Sequence, residues 1–247
     1  MAQLEARHIS KSFGEHQVLK DISLAVHDHE LVSLLGVSGS GKTTLFNIIS
    51  GLLLPEEGQI FLDGQDITGK PGQISYMLQK DLLLPYRTIE DNVALPLIIR
   101  GEKKQAAREK VRPHFAGFGL AGTEKKYPHQ LSGGMRQRAA LLRTYMFSQG
   151  LALLDEPFSA LDTITKGSMH RWYLEVMEEI QLSTIFITHD IDEAILLSDR
   201  IYLLTGNPGT ITGELVIQEP KPRRQDFNLT PEFLQYKRQI LEQLHVE

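Results

Sequence analysis

The feature that most constrains this sequence is a glycine-rich octapeptide behind a short apolar run. Residues 36–43 read Gly-Val-Ser-Gly-Ser-Gly-Lys-Thr and match G-x-x-x-x-G-K-[ST], a pattern whose backbone N–H groups cradle phosphate oxygens. The mostly apolar residues 31–35 predict a buried strand, and residues 44–50 predict the start of a helix. Because this pattern functions between a strand and a helix, the sequence predicts a phosphate-binding P-loop.

Two side chains of this loop supply the chemistry that a nucleotide phosphate needs. The Lys42 ammonium is expected to reach the β and γ phosphates, and the Thr43 hydroxyl is expected to hold Mg²⁺. The N-terminus of the following helix adds a partial positive charge. The residues expected to surround the phosphates are Gly36, Val37, Ser38, Gly39, Ser40, Gly41, Lys42, Thr43 and Thr44.

Two carboxylates end a second predicted buried strand. Apolar residues 151–154 lead into Asp155 and Glu156, and ligands bind at the carboxyl edge of open parallel sheets. One carboxylate beside a P-loop organises Mg²⁺, whereas another orients or deprotonates a water molecule. Because successive side chains on a strand point in opposite directions, we expect these two not to face one ion equally. Residues 184–190 repeat the design and carry His189 near their end.

The remaining residues predict short strands and one long helical stretch. Residues 3–9 alternate, so that Leu4, Ala6 and His8 are expected on one strand face. Further strands are predicted at 18–26, 59–64, 74–79, 200–204 and 210–217, and helices at 89–149, including 135–147, and after Thr230. The apolar residues 82–86 predict a loop that either binds a partner or packs into the core.

Composition excludes several classes of function. The formal net charge of −5 argues against broad nucleic-acid binding, and the lack of cysteine excludes disulfides and thiolate metal sites. No apolar stretch approaches the roughly 20 residues that cross a bilayer. The lack of cysteine suits a reducing compartment, and the first residues lack the basic and apolar regions of a secretory signal.

A second motif connects these pieces to a known family. The sequence Leu131-Ser132-Gly133-Gly134-Met135-Arg136-Gln137-Arg138 matches the ABC signature, and the chain resembles the ATP-binding subunit of an ABC transporter from about residue 3 to 217. Gln79 falls at the Q-loop of that family, residues 159–162 at its D-loop and His189 at its switch histidine. Phe13 falls where an aromatic residue stacks on adenine.

The resemblance implies an α/β fold with a RecA-like P-loop NTPase core, an antiparallel β subdomain and an inserted α-helical subdomain. It implies one ABC ATPase domain over residues 3–230, with the core at 3–84 and 151–217, the helical part at 85–150 and a short helical tail at 218–247. The implied enzyme is an ATP hydrolase that uses ATP and Mg²⁺.

The resemblance also implies a role for each motif residue. Glu156 would polarise the attacking water, with His189 and Gln79 sensing the γ-phosphate. Mg²⁺ would be held by Thr43, Gln79 and Asp155. The nucleotide would contact Phe13 and the P-loop of one copy and the signature residues Ser132, Gly133, Gly134 and Gln137 of another, in a head-to-tail dimer. The other implied partners are permease subunits at the cytoplasmic face of the membrane and, indirectly, a solute-binding protein.

Finer details resemble importers of the nitrate, sulfonate and taurine type, whose relatives include carriers of thiamine-precursor pyrimidines. The resemblance rests on Gln79-Lys80-Asp81, Asp91-Asn92-Val93, Met135 within the signature and Pro208-Gly209-Thr210. Tyr86 departs from the tryptophan usual in that group, so the cargo stays open. The alternatives are the ATPase of an exporter and a soluble ABC ATPase acting in translation or DNA repair.

Overall fold

A computed structural model describes residues 2–148, 150–159, 163–221, 223–224 and 226–244. The strands are β1 (Ala2–Phe13), β2 (His16–His27), β3 (Leu31–Leu35), β4 (Glu57–Leu62), β5 (Gln65–Asp66), β6 (Ser75–Met77), β7 (Leu151–Asp155), β8 (Ser183–Thr188), β9 (Arg200–Thr205) and β10 (Thr210–Val216). The helices are α1 (Lys42–Ile49), α2 (Ile89–Val93), α3 (Leu95–Ile99), α4 (Lys104–Val111), α5 (His114–Gly117), α6 (Gly133–Phe147), α7 (Thr163–Ile180), α8 (Ile191–Leu197) and α9 (Pro231–Leu244). Short 3-10 turns lie at Pro128–Gln130 and Phe227–Leu229.

The predicted buried strands form the centre of a mostly parallel sheet. Its order is β10-β9-β3-β8-β7-β6, and only the edge strand β10 runs antiparallel to its neighbour among these described strands. Every residue of β3, β7 and β8 is buried, as in parallel strands covered on both faces. The register pairs Leu35 with Thr188 and Asp155 with Ile187, so the carboxyl ends of these three strands meet at one edge.

A second, antiparallel sheet has the order β2-β1-β4-β5. The predicted alternation along β1 is wrong at one position, because a register shift separates Ala6 from Ile9. His8 lies in the shift with a φ of 54°, and it is exposed, while Ile9 is fully buried. A β-bulge adds one residue to a strand, and here it moves the apolar face from the predicted position 8 to position 9.

The stretch between β6 and β7 is built from α2 to α6, as its composition predicted. Thr88 caps α2 by accepting the Asp91 N–H at 3.2 Å, and Ser132 caps α6 by accepting the Met135 N–H at 3.3 Å. Buried residues of these helices, including Val93, Phe115 and Leu142, share a core with Leu154 and Phe186 of the sheet.

The apolar loop 82–86 is partly buried and partly exposed, so each predicted alternative holds for some of its residues. Leu83 is 7% exposed and belongs to the core, so for this residue the core alternative is correct and the partner alternative is wrong. Leu82, Leu84 and Tyr86 are exposed, with Tyr86 at 93%. The loop is anchored by Asn92, whose side-chain oxygen accepts the Leu84 N–H at 2.6 Å.

The last helix packs against the sheet. Phe233 and Ile240 of α9 are buried together with Phe227, Ile201 and Leu203. No helix within the described residues has the length and apolar character of a membrane span.

Candidate functional site

The carboxyl ends of β3, β7 and β8 surround a cleft of about 660 Å³. Its lining combines the loop after β3, the ends of β6, β7 and β8, and one residue of β2: Val18, Ser38, Gly39, Gly41, Lys42, Thr43, Thr44, Gln79, Asp155, Glu156, Ile187 and His189. The structure therefore brings together the predicted P-loop, both carboxylates, Gln79 and His189.

The loop glycines are required by close backbone approaches. A Cβ on Gly36 would lie 2.2 Å from the Leu204 carbonyl oxygen. A Cβ on Gly41 would lie 2.6 Å from Leu19, and Gly41 has a φ of 94°, in the left-handed region. Gly41 caps α1 without a side-chain acceptor, so the first N–H groups of α1 remain available to an anion.

Lys42 lies inside the loop that precedes it. Its Nζ donates to the carbonyl oxygens of Gly36 at 2.8 Å and Val37 at 2.7 Å. An ammonium has three donors, so the third is available to a phosphate oxygen. Burial lowers the pKa of Lys42, and the charges of Glu156 and Asp155 oppose that shift.

Asp155 is 8% exposed at the end of β7. The Tyr76 hydroxyl donates to its Oδ2 at 3.4 Å. Burial raises the pKa of Asp155, and Glu156 raises it further, while hydrogen bonds from Tyr76 and Thr43 and the charge of Lys42 lower it. A buried carboxylate beside a hydroxyl is the donor pair that Mg²⁺ takes when it keeps several water ligands, so Thr43 and Asp155 fit such an ion.

Gln79 fits the same ion only through one atom. Its Nε2 donates to Glu156 at 2.8 Å, which leaves the amide oxygen as the group able to ligate a metal. The described residues contain no cluster of three or more His, Cys, Asp or Glu side chains arranged for a metal. A metal here would therefore also need hydroxyl, amide, water or phosphate oxygens as ligands. Mg²⁺ commonly binds in this way, through one or two carboxylates together with the phosphates of a nucleotide.

Glu156 contacts two other residues that line the cleft, Gln79 and His189. Its Oε2 accepts from Gln79, and its Oε1 lies 3.2 Å from His189 Nδ1. The backbone of Glu156 has a φ of 46°, and its N–H donates to the Ile187 carbonyl at 3.1 Å. This left-handed turn brings Glu156 to the same cleft as Asp155, so strand alternation does not separate them. The two carboxylates keep different partners, and the expectation that they do not face one ion equally stays a prediction.

The backbone that carries His189 is fixed on both sides. Thr188 donates from its hydroxyl to the buried Glu193, and that hydroxyl accepts the Asp190 N–H at 3.0 Å. Glu193 is 4% exposed and lies 3.0 Å from His170 Nε2 of α7. The His189 side chain itself is 59% exposed, so the ring is accessible to a ligand while its strand end is held.

The signature residues lie apart from this cleft. Ser132 and Gly133 are exposed at the start of α6, and neither they nor Gly134 lines the cleft. Gln137 is 6% exposed and lines an adjoining cleft with Gln79, Glu156, Ser159 and His189. Its Oε1 is buried without a hydrogen-bond partner.

Phe13 is 53% exposed at the end of β1, outside the cleft lining, and Lys11 Nζ lies 5.5 Å from its ring centroid. Residues 160–162 of the predicted D-loop lie outside the described residues. Ser159, the first residue of that motif, donates from its hydroxyl to the Glu156 carbonyl at 3.0 Å.

Sequence reasoning missed Val18, Tyr76 and the pair of His170 and Glu193. Tyr76 lies on the strand predicted at 74–79, but no local pattern indicates that its hydroxyl meets Asp155. Val18 and the pair carry no local signal, since their contacts arise from packing between distant segments.

The sequence matches the ABC transporter family over residues 19–159. It is 44% identical over 220 residues to a formylaminopyrimidine import ATP-binding protein of Halalkalibacterium halodurans, covering 89% of this chain and 85% of the relative. It is 36% identical over 233 residues to a nitrate import ATP-binding protein of Synechocystis, covering 92% of this chain and 88% of the relative.

The fold is similar to that of a bacterial ABC transporter cassette solved as a dimer. The TM-score is 0.74 at 29% identity, covering 87% of this chain and 99% of that cassette. The same cassette has been solved as a dimer in a post-hydrolysis state bound to ADP and Pi, with the same TM-score of 0.74.

Proposed function

The chain belongs to the ABC transporter family, and on that premise we propose that it binds and hydrolyses ATP to power the import of a small polar solute. The predicted fold class and the predicted resemblance to importer ATP-binding subunits are both confirmed by the matches. Because the two named relatives are import proteins, import is favoured over export and over a soluble role.

The observation that carries the chemistry is the meeting of Lys42, Asp155, Glu156, Gln79 and His189 in one cleft. We propose that the P-loop N–H groups and Lys42 bind the phosphates. Thr43 and Asp155, with the Gln79 amide oxygen, would hold Mg²⁺, which when bound offsets charge on the β and γ phosphates.

Glu156 is the proposed base of the reaction. Gln79 and His189 hold its two carboxylate oxygens at 2.8 Å and 3.2 Å, which fixes the carboxylate in the cleft that the P-loop also lines. A water between Glu156 and the γ-phosphate would lose its proton to this carboxylate. His189 and Gln79 would report the presence of the γ-phosphate, since both touch Glu156.

The signature is proposed to act on the nucleotide of a second copy. Ser132 and Gly133 are exposed at the start of α6, where helix N–H groups can bind an anion, and neither residue lines the cleft. The dimeric state of the similar cassette supports a head-to-tail pair. Phe13 is proposed to stack on adenine, and Gln137 to contact the nucleotide, in that assembly.

The permease is proposed to dock in a groove of about 330 Å³ between α1, α3 and α6. Leu52 and Ile99 on this groove are 64% and 74% exposed. Arg143 also lines the groove, and its guanidinium donates to the carbonyl oxygens of Asp81 and Leu82 at 2.6 and 2.8 Å. A permease helix bound in the groove would thus contact Arg143, and through Arg143 it would act on the segment that follows Gln79.

We further propose that the chain acts at the cytoplasmic face of the membrane, as one domain over residues 3–230 with the helical part 85–150 moving as a unit. A nitrate-like anion or a pyrimidine is the proposed cargo class, delivered by a solute-binding protein.

Steady-state hydrolysis tests the proposed base. Glu156→Gln keeps the shape and hydrogen bonding but removes the charge, so turnover is expected to fall by about 10²–10⁴-fold while ATP affinity holds. His189→Ala is expected to resemble it, whereas Asp155→Asn is expected to weaken Mg²⁺-dependent binding itself. Normal hydrolysis by Glu156→Gln would transfer the role of base to His189.

A further inference from the structure

A second cavity lies at the opposite edge of the six-stranded sheet, where β3 and β8 begin. Its volume is about 400 Å³, within the range of small-molecule sites. It is lined by the start of β3 and β8, by one face of α7, and by Asp199, Lys221 and Arg223. None of the residues proposed to bind nucleotide lines it, so it is separate from the site described above.

One wall of this cavity is apolar and rigid. Leu31, Met177 and Leu182 are each 4% exposed and belong to the main core cluster, and the partly buried Leu174 lies beside them. Because these side chains are fixed by core packing, the wall exists without a ligand and needs no rearrangement to receive an apolar group.

Two partly buried cations lie across from that wall. Lys221 Nζ lies 2.7 Å from Asp199 Oδ2, but the same oxygen accepts the Leu31 N–H at 2.8 Å. Arg223 donates to the carbonyl oxygens of Leu196 at 2.6 Å and Ser198, at the end of α8.

Arg223 has no carboxylate in ion-pair contact among the described residues, and its Nε is buried without a hydrogen-bond partner. Burial lowers the pKa of Arg223 to about 10, and it lowers the pKa of Lys221 despite the neighbouring Asp199. The positive charge here is therefore only partly compensated.

The remaining charged groups lie on the exposed rim. Arg171, Glu175 and Glu178 of α7 are solvent-exposed, and water and salt screen their charges. His29 Nδ1 is engaged with the Gln181 carbonyl at 2.7 Å. The field felt by a desolvated ligand is consequently set mainly by Arg223 and by Lys221 with its partner Asp199.

We propose that this cavity binds a small organic anion, with its apolar body on Leu31, Leu174, Met177 and Leu182 and its acidic headgroup on Lys221 and Arg223. A carboxylate or a phosphate ester supplies the same headgroup chemistry. The site is independent of ATP hydrolysis and does not rest on the proposed function.

Calorimetric titration of the full chain tests the site with matched acids and amides. The probes are benzoate, hexanoate and phenyl phosphate, compared with neutral benzamide and hexanamide of the same shape. The acids are expected to bind at least about 10-fold more tightly than the amides, because a charged hydrogen bond contributes that much. The Lys42→Ala chain, which lacks the cation of the nucleotide cleft, is expected to bind the acids equally well.

Variants locate the site. Lys221→Gln is expected to weaken acid binding about 10-fold. Arg171→Glu, at an exposed position that leaves the core intact, is expected to weaken it several-fold. Arg224→Gln is the matched control, because Arg224 lies on the same segment but pairs with Glu219 outside the cavity lining, and its binding is expected to be unchanged.

The proposal would be overturned by no heat from any acid at millimolar concentration, by equal affinity for acids and amides, or by wild-type affinity in both Lys221→Gln and Arg171→Glu. Loss of acid binding in Lys42→Ala alone would also overturn it, since the acids would then occupy the nucleotide cleft.

Discussion

Two helix N-termini in this molecule are suited to anions, and they are built differently. The N-terminus of α1 lies in a cleft with Lys42, Thr43 and two carboxylates, and its cap is Gly41, which offers no side-chain acceptor. The N-terminus of α6 is exposed, and the hydroxyl of its cap Ser132 already accepts the Met135 N–H. The first site contains charge, metal ligands and a base, whereas the second offers N–H groups and a hydroxyl, and the nearby Arg136 is already paired with Asp81 at 3.2 Å.

This difference indicates that the two helix starts have different functions. A site with its own cation binds phosphate in the isolated chain, while a site of neutral donors contributes only when another group brings the phosphate to it. The comparison predicts that changes at the two helix starts separate nucleotide binding from turnover.

The largest effect is expected at the α1 site. Lys42→Ala removes a charge-assisted donor to the phosphates, so ATP affinity is expected to fall about 10²-fold or more, measured by equilibrium titration. Ser132→Ala is the matched change at the α6 site and is expected to leave the ATP affinity of the isolated chain unchanged. Equal losses in the two variants would remove the distinction between the sites.

A smaller effect is expected on the stability of the folded chain, because the α1 site buries the carboxylate of Asp155. The pKa of Asp155 is raised by burial, so the free energy of unfolding decreases as the pH rises from the ordinary aspartate pKa through the raised one. Asp155→Asn removes that loss. Without nucleotide or Mg²⁺, its melting temperature is expected to exceed that of the wild type by about 2–4 °C per kcal/mol relieved, at neutral pH.

The same comparison repeated in acid is the control. Below the ordinary aspartate pKa the side chain is neutral in both the folded and the unfolded chain, so the two melting temperatures are expected to converge. A wild-type chain that is the more stable one at neutral pH would show that Asp155 is compensated by its neighbours.

The smallest effect separates the structural role of a cap from its role in catalysis. Ser132 and Thr88 both cap helices, and either change to alanine is expected to cost about 1 kcal/mol of unfolding free energy. Only Ser132→Ala is expected to reduce ATP turnover as well. Chemical denaturation and hydrolysis rates on the two variants provide the measurement, and reduced turnover in both would mean that destabilisation alone explains the loss.

The sequence predicted most of what lies along single elements. The P-loop, the strand ending in Asp155 and the helix after Thr230 were predicted because each is fixed by neighbours within a few residues. These local patterns also sufficed to place Gln79 and His189 at the sheet edge.

The errors and omissions arose where geometry depends on a single backbone angle or on distant packing. The left-handed φ of Glu156 brings both carboxylates to one cleft, and the bulge at His8 shifts the buried face of β1. Leu83 is buried by helices that follow it, and Tyr76 meets Asp155 from 79 positions away. Neither alternation nor composition contains that information.

The central claim is that one functional ATP site needs the P-loop cleft of one copy and the signature of another. Mixing two inactive variants tests it most directly: Lys42→Ala keeps a working signature, and Ser132→Glu keeps a working P-loop while its carboxylate repels the partner's phosphate. Each alone is expected to hydrolyse almost no ATP, and their mixture is expected to regain activity in proportion to the mixed dimers formed. A mixture as inactive as its components would contradict the account.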